Sequence, residues 1–239
     1  MIHEPYRRYW EERKNVKHII WDFNGTLLSD LQLSVDTDNY VFRMLGIPEI
    51  TEETYKRNIT MPIQDFYKKI GIDFSKHPYE VIGRLWLDEF NRKAVGAGLV
   101  PDALKTVQFF NEKGISQSVL SASYEPSLLH QCKELGISDY MVSITGQENE
   151  KAERKLEIGE RHLRQLMIDK EEIVLIGDMA TDAELAEHLD VNCILVSWGH
   201  NDLGRLEKTG KTIVYSFEEL REIITYGKYG LTKHENIGD

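Results

Sequence analysis

The sequence predicts an α/β protein with a Rossmann-like core of parallel strands and an inserted α-helical cap. Three observations support this prediction. A predicted strand at 18–22 with an apolar centre ends in a glycine turn, a long block at 29–95 has helical spacing, and short apolar runs alternate with helices from 101 onward. Strands that alternate with helices form a parallel sheet through right-handed crossovers, so the helical block is an insertion after the first strand.

The first predicted strand, 19–21, is followed directly by a carboxylate and a turn. Its β-branched and aromatic residues favour a buried strand, and the Asn24-Gly25 pair ends it within two residues of Asp22. Asp22 therefore lies at the carboxyl edge of the sheet, where open α/β proteins bind ligands. Taken alone, Asp22 is explained at least as well by a hydrogen bond to its own turn.

The block that follows is predicted to be helical. Apolar residues fall at helical spacing over 31–45, 63–70 and 79–95, and a glycine follows each of the first two stretches. No strand pattern interrupts them. We therefore predict a core domain made of 1–28 and 96–239, and a cap domain made of 29–95.

The remaining elements complete the sheet and the helices that cover it. Strands are predicted at 118–120, 141–144, 173–176, 193–196 and 212–215. Helices are predicted at 101–113, 127–135, 155–167, 182–188 and 217–224. Glycines end the first two of these helices, as is common at helix C-termini. An aromatic cluster near the N-terminus, Tyr6, Tyr9 and Trp10, is expected to pack one more helix on the core.

Composition and charge narrow the class of partner. The 239 residues are 41% hydrophobic and 29% charged, which is typical of a globular protein. A net charge of −11 provides no basic face for nucleic acid or for anionic lipid. We therefore expect a small-molecule partner, no nucleic acid and no membrane, and the chain could act as a monomer or a homodimer.

Other sequence features favour a cytoplasmic location. Cys132 and Cys193 form neither a disulfide framework nor a metal-binding spacing, as expected in a reducing compartment. The first 17 residues lack the apolar segment of a signal peptide. No apolar run is long enough to span a bilayer.

Polar residues also stand at two further strand ends. The second strand ends at Leu120 and Ser121, and a serine that starts a loop is unremarkable by itself. The strand at 173–176 ends in Gly177-Asp178, with Asp182 four residues later. Asp182 is explained equally well as a cap of the next helix. Asp178, in contrast, is needed neither to continue the strand nor to cap a helix. Lys155, at the start of the intervening helix, is expected at the same carboxyl edge of the sheet as Asp178.

Together these groups suit phosphoryl transfer. Asp22 and Asp178 would repel each other unless a divalent cation lay between them, and hard oxygen ligands suit Mg²⁺. Such a cation would let Asp22 attack a phosphorus atom and form an aspartyl-phosphate that water then cleaves. Ser121 and Lys155 could hold the phosphoryl oxygens as charge develops.

From about residue 17 to 225 the sequence resembles the haloacid dehalogenase-like superfamily, close to its phosphoglycolate-phosphatase-like and β-phosphoglucomutase-like members with helical caps. Four motifs carry the resemblance: Asp22-Phe23-Asn24-Gly25-Thr26, Ser121, Lys155, and Gly177-Asp178 with Asp182. The resemblance implies that the Asp22 and Asp178 side chains and the Asn24 carbonyl bind Mg²⁺. Asp182 would support a metal-bound water or the lysine. Substrate contacts are implied for Ser121, Ala122, Lys155, Thr60 and Met61, the last two in a cap loop that lacks the family's usual glycine.

The sequence departs from the phosphatase pattern at Asn24, because an aspartate normally stands there. That aspartate protonates the leaving group and then activates water, and general acid–base catalysis contributes roughly 10²–10⁴-fold in rate. An amide cannot exchange this proton. Three outcomes are open: slow turnover, a leaving group that needs no proton such as an acyl or aryl phosphate, or a substitute base from the cap or Asp30.

Three other functions compete with a phosphatase. A metal-independent dehalogenase would share the fold, but retention of both Asp178 and Asp182 favours the phosphatase. A phosphonatase would need a Schiff-base lysine in the cap, where four lysines are more simply explained as solvated: Lys56, Lys68, Lys69 and Lys76. A catalytically impaired protein that binds a phospho-ligand or regulates a partner is the alternative from another class. His200, after the strand at 193–196, stands at a strand end where it could line the cleft, but an ordinary histidine of a surface loop is the favoured prediction.

Overall fold

A six-stranded parallel sheet forms the centre of the computed structural model, which describes residues 16–148 and 155–226. The strand order is β3-β2-β1-β4-β5-β6. The strands are β1 (His18–Trp21), β2 (Ser116–Tyr124), β3 (Ser143–Gln147), β4 (Ile173–Gly177), β5 (Asn192–Val196) and β6 (Thr212–Val214). The predicted α/β class with a Rossmann-like sheet is confirmed.

Five helices lie between β1 and β2. The first four form the helical insertion, and the fifth covers the sheet together with the later helices. The inserted helices are α1 (Leu31–Leu45), α2 (Glu52–Asn58), α3 (Ile63–Lys69) and α4 (Tyr79–Ala97). The others are α5 (Ala103–Glu112), α6 (Glu125–Glu134), α7 (Leu156–Leu166), α8 (Ala180–Leu189), α9 (Leu203–Glu207) and α10 (Phe217–Tyr226). The sequence did not single out α2, because it is only seven residues long and Tyr55 is its one buried side chain.

Two packing clusters meet in α4. Phe42, Phe66 and Ile82 belong to a cluster built mainly from the inserted helices. Phe90 and Ala94, near the C-terminal end of α4, instead join the apolar cluster that packs on the sheet. The C-terminal part of α4 thus connects the helical insertion to the sheet, and the domain boundary near residue 95 stays a prediction.

The register of the strands determines which residues share the carboxyl edge. Trp21, the last residue of β1, lies between Val119 of β2 and Ile176 of β4. The residues that follow each of these three positions are therefore neighbours. The predicted end of β2 at Ser121 is wrong: the strand continues to Tyr124, with an irregular register after Leu120.

Other sequence predictions have mixed outcomes. The third strand lies at Ser143–Gln147 rather than 141–144, because Val142 is 65% exposed and the buried part of the strand comes later. Cys132 and Cys193 are free thiols, both buried. The aromatic cluster near the N-terminus lies outside the described residues. Across 16–148 and 155–226, no helix combines the length and apolar character needed to cross a bilayer.

Candidate active site

Three carboxylates meet beyond the ends of β1 and β4. Asp22 follows β1 directly, and its backbone N–H donates to the carbonyl of Ile176 at 2.8 Å. Asp178 follows β4, and Asp182 lies in the first turn of α8. Each of the three acids offers one oxygen within 4.8 Å of the others, and all three side chains are buried. The adjacent strands thus bring together the acids that the sequence predicted to be close.

Lys155 joins this cluster from the start of α7. Its Nζ donates to Oδ1 of Asp22 at 2.9 Å and to Oδ1 of Asp182 at 2.5 Å. Burial alone would lower the pKa of this lysine, but the two neighbouring carboxylates raise it above its usual value. Lys155 is therefore a fixed ammonium group beside the candidate nucleophile.

Asp182 both caps a helix and supports the lysine. Its Oδ2 accepts hydrogen bonds from the backbone N–H groups of Asp178 and Met179, at 3.2 and 3.0 Å. Its Oδ1 accepts from Lys155. Because Oδ1 is paired with the Lys155 ammonium group and Oδ2 with two backbone N–H groups, Asp182 fits the position of a residue that supports Lys155 and the loop after β4.

Asp22 and Asp178 form the pair that fits a hard cation. Burial raises the pKa of both carboxyls, and repulsion from Asp182 adds to the increase. Lys155 partly offsets this at Asp22, and His200 does so at Asp178. The charged forms of these two buried carboxyls are disfavoured. A divalent cation bound between them would compensate their negative charges and stabilise the pair.

Hydrogen bonds hold the Asn24 side chain at both ends. Its Nδ2 donates to Oδ2 of Asp30 at 2.8 Å, and its Oδ1 accepts from Oγ of Ser123 at 2.7 Å. The Asp30 carboxyl also accepts from the Gly25 N–H at 2.7 Å. Burial would raise the pKa of Asp30, but His200, Asn24 and Gly25 together lower it below its usual value. Asp30 is therefore an ionised group that orients Asn24, and it is poorly suited to supply a proton.

His200 belongs to the same network, and its predicted position on a surface loop is wrong. The residue is only 5% exposed. Its ring bonds to Tyr55 Oη at 2.8 Å through Nδ1 and to Asp30 at 3.3 Å through Nε2. Its backbone N–H donates to Asp178. Burial would lower its pKa, but Asp30, Asp178 and Asp22 raise it to about 9, so the imidazolium is a second cation in the site.

The sequence held one signal for this histidine. His200 closely follows β5, at the same carboxyl edge as Asp22. Gly199 beside it has no room for a side chain, because an added Cβ would collide with Asp178. Gly25 is equally restricted by Asp178 and His200, and its φ of +72° is a conformation that favours glycine. Both glycines therefore let the loops approach closely.

A cavity of about 150 Å³ opens above the acids, and most predicted site residues line it. Ser121 and Ala122 lie on its wall with Asp22, Asn24 and Lys155. From the cap loop, Met61 lines the cavity but Thr60 does not. The four cap lysines that a phosphonatase could have used are also absent from the lining among the described residues.

Comparison with known proteins identifies the family. A family model described as haloacid dehalogenase-like hydrolase matches residues 19–196. This match spans more than half of the sequence, from β1 to β5, and the chain belongs to that family. The family predicted from the four motifs is confirmed, and so is the expectation of a hydrolase-type enzyme.

Individual relatives are distant but cover nearly the whole chain. Tyrosine-protein kinase PtkA of Mycobacterium tuberculosis (strain ATCC 25618 / H37Rv) is 22% identical over 216 residues, which are 86% of this chain and 72% of the relative. Phosphoglycolate phosphatase of Mesorhizobium japonicum is 21% identical, over 84% of this chain and 92% of the relative. A haloacid dehalogenase-like hydrolase of Streptococcus pneumoniae superposes with a TM-score of 0.75 at 17% identity, covering 86% and 97% of the two chains.

Proposed function

We propose that the protein is a Mg²⁺-dependent phosphatase that hydrolyses a small phosphate monoester through an aspartyl-phosphate on Asp22. One observation carries the proposal. The buried Asp22 carboxylate is held by Lys155 at 2.9 Å, lies beside Asp178 and faces a cavity large enough for a small ligand. The names of two relatives, a kinase and a phosphatase, share phosphoryl transfer as their chemistry.

The metal would bind at the Asp22 and Asp178 side chains, with the Asn24 carbonyl as a further ligand. It would neutralise these carboxylates and draw charge from the phosphoryl oxygens. Oxygen ligands on adjacent strand ends and the raised pKa values of both carboxyls support this assignment. Asp182 would not bind the metal directly and would instead hold Lys155 in position.

The other residues would position the phosphoryl group. Lys155 would bind one phosphoryl oxygen as a point charge while keeping Asp22 in place. Ser121, 1% exposed, would donate its hydroxyl to another oxygen, and the backbone at Ala122 would help to orient the group. Asp22 would attack the phosphorus atom, and the bond to the leaving oxygen would break. Water would then release phosphate and restore Asp22.

A cytoplasmic location and a small phosphorylated metabolite as partner belong to the same proposal. The leading alternative is a protein that binds a phospho-ligand without turnover. Asn24 motivates this alternative, since Asp30 holds its amide where an aspartate would exchange protons. The two functions differ in the fate of the aspartyl-phosphate.

The test is a panel of phosphate esters and anhydrides, each assayed with Mg²⁺ and with the metal chelated. We expect Mg²⁺-dependent phosphate release that Asp22→Asn abolishes. Glu157→Gln, an exposed acidic position on α7, should leave the rate unchanged. Stoichiometric labelling of Asp22 without release would support the binding protein instead. Turnover that persists in the chelated protein would contradict the metal requirement.

A further inference from the structure

The end of the cavity that faces the inserted helices is mainly apolar and largely aromatic, and Ser34 and Asn91 are polar lining residues from the same helices. Six side chains form this surface, which we call the aromatic wall: Ile59, Tyr67, Tyr79, Trp86, Leu87 and Phe90. They come from the end of α2, from α3 and from α4. The phosphate end of the cavity, at Asp22 and Lys155, lies on the sheet side. A bound phosphate monoester would therefore direct its leaving group toward the aromatic wall.

The aromatic wall is preorganised by its own contacts. Trp86 and Phe90 stack, with ring centroids 4.4 Å apart and an angle of 13° between planes. The Tyr67 hydroxyl donates to Asp38 at 2.9 Å behind the wall. Tyr67 and Tyr79 also pack together, with centroids 6.3 Å apart. Rings fixed in this way present a rigid aromatic surface at little cost in conformational entropy.

Charge is confined to the opposite end of the cavity. Among the described residues that line it, the charged groups are Asp22, Asp30, Lys155 and His200, all close to the strand ends. A carboxylate or second phosphate on the leaving group would meet no cation at the aromatic wall. Burying an unpaired charge there is unfavourable by several kcal/mol or more on a rough scale. The part of the leaving group that contacts the aromatic wall is thus expected to carry no charged substituent.

The volume of the cavity indicates the size of the substrate. The cavity holds about 150 Å³. An engineered apolar cavity of about 150 Å³ in another protein admits benzene. The volume of the cavity is thus on the scale of a ligand with a single ring.

Asn24 leads to the same class of substrate by an independent route. Its amide cannot protonate a departing oxygen, and Asp30 and Ser123 hold it in place at 2.8 and 2.7 Å. An alkoxide leaves poorly without a proton. A phenolate is far more stable, since a phenol such as the tyrosine side chain has a pKa of about 10.

We propose that the substrates are aryl phosphates, monoesters of a single-ring phenol without further charge. This inference rests on the proposed function. In the first step Asp22 Oδ forms a bond to phosphorus, and the phosphorus–oxygen bond to the ring breaks with its electron pair leaving as phenolate. In the second step water attacks phosphorus, the Asp22 bond breaks, and phosphate is released. Solvent protonates the phenolate and takes up the proton lost by the water.

Four probes separate recognition of the ring from the quality of the leaving group. Phenyl phosphate has both a ring and a good leaving group, and benzyl phosphate has a ring with a poor one. Acetyl phosphate has a good leaving group without a ring, and phosphoglycolate has neither. We expect phenyl phosphate to give the highest kcat/KM. Benzyl phosphate should keep a similar KM with kcat lower by roughly 10²-fold, the low end of general-acid catalysis. Acetyl phosphate should have a KM about tenfold higher because it buries no ring.

Two variants test the aromatic wall itself. Trp86→Ala should raise the KM for phenyl phosphate relative to that for acetyl phosphate by about tenfold. Leu87→Lys should place a cation at the wall and improve kcat/KM for phosphoglycolate while reducing it for phenyl phosphate. This gain cannot come from misfolding. Tyr40→Ala, an exposed aromatic position on α1 outside the cavity lining, is the matched control and should change neither ratio.

The results distinguish the inference from the function on which it rests. A higher kcat/KM for phosphoglycolate or acetyl phosphate than for phenyl phosphate would overturn the aryl substrate and leave the phosphatase intact. An unchanged KM ratio in Trp86→Ala, together with no gain in Leu87→Lys, would do the same. No turnover of any of the four probes would overturn the phosphatase proposal and this inference with it.

Discussion

Asn24 donates from Nδ2 to Oδ2 of Asp30 at 2.8 Å, and this hydrogen bond joins the turn after β1 to the residue before α1. Asp30 is 1% exposed and stays ionised because its pKa is lowered. An aspartate at position 24 would place a second carboxylate against it. The network around Asp30 is therefore built for an amide.

Asn24→Asp is expected to gain activity and lose stability. A carboxyl group at this position could protonate an alkoxide, so turnover of alkyl phosphates should rise by roughly 10²-fold. The new carboxylate would face Asp30 in a buried site, and we expect the free energy of unfolding to fall by about 2–4 kcal/mol. Steady-state kinetics and urea denaturation measure the two effects.

The double variant Asn24→Asp/Asp30→Asn exchanges the two groups and serves as the control. It restores an amide–carboxylate pair, so it should recover most of the lost stability while keeping the new activity. An Asn24→Asp protein as stable as the wild type would show that Asp30 does not repel the new carboxylate.

Lys155→Met should reduce both activity and stability. The substitution leaves Asp22 and Asp182 buried without the ammonium group that lies 2.9 and 2.5 Å from them. Loss of one partner from a buried charge cluster costs about 3–5 kcal/mol, and loss of a transition-state donor costs roughly 10²–10³-fold in kcat. Chemical denaturation and phosphate release measure these losses.

Removal of the unpaired Asp182 carboxylate should restore part of the stability that Lys155→Met loses. Lys155→Met/Asp182→Asn has one buried carboxylate fewer, so it should be more stable than Lys155→Met although it stays inactive. If the double variant is the less stable of the two, the cost arises from packing around the lysine rather than from its charge.

The sequence predicted those parts of the site that depend on strand ends. Asp22 and Asp178 each follow an apolar run and a short turn, and the pairing of β1 with β4 brings them together. The position of Lys155 at the site could be predicted because it starts the helix between β3 and β4, at the carboxyl edge of the sheet. Local residue types and chain order were sufficient for these positions.

Most of the network around Asn24 could not be predicted, because the contacts of Ser123 and His200 join distant parts of the chain. His200 meets Asp30 across 170 positions and Tyr55 across 145. Neither contact has a local pattern, and a histidine in a glycine-containing loop is exposed in most proteins. The end of β2 was missed for a related reason: its last residues are only half-buried, and pairing with β3 rather than apolar character extends the strand.

A buried pair of histidines should make stability depend on pH. His18 and His162 share the hydroxyl of Ser118, each through Nε2 at 2.7 Å, and Thr145 bonds to His162 at 2.8 Å. The Ser118 hydroxyl can donate to one ring and accept from the other, an arrangement that two neutral histidines satisfy. Burial lowers the pKa of both from 6.5 to about 4, and their mutual repulsion adds to this at His18.

The sign follows from proton binding. Between pH 6.5 and about 4 the unfolded chain binds protons at these histidines and the folded chain does not. The free energy of unfolding should therefore fall as the pH drops through this window, by roughly 2 kcal/mol per histidine at pH 5. Urea denaturation at pH 7.5 and pH 5 measures it. His162→Gln should reduce the difference between the two pH values, and His130→Gln, at an exposed position, should not. Equal differences in all three proteins would contradict the prediction.

Mg²⁺ should stabilise the protein through Asp178. Burial and repulsion raise the pKa of Asp22 and Asp178, so a cation that neutralises both favours the folded state. A ligand at 100 times its Kd adds about 2.7 kcal/mol to the free energy of unfolding. For a chain of this size that corresponds to a Tm increase of roughly 5–10 °C. Thermal melts with Mg²⁺ and with chelator measure the increase.

Asp178→Asn should abolish this Mg²⁺-dependent increase, whereas Asp88→Asn, at an exposed position on α4, should retain it. Asp182 could replace Asp178 as a ligand only by giving up its hydrogen bond to Lys155 or those to the backbone N–H groups of residues 178 and 179. A full Mg²⁺ shift in Asp178→Asn would therefore place the metal somewhere other than between β1 and β4.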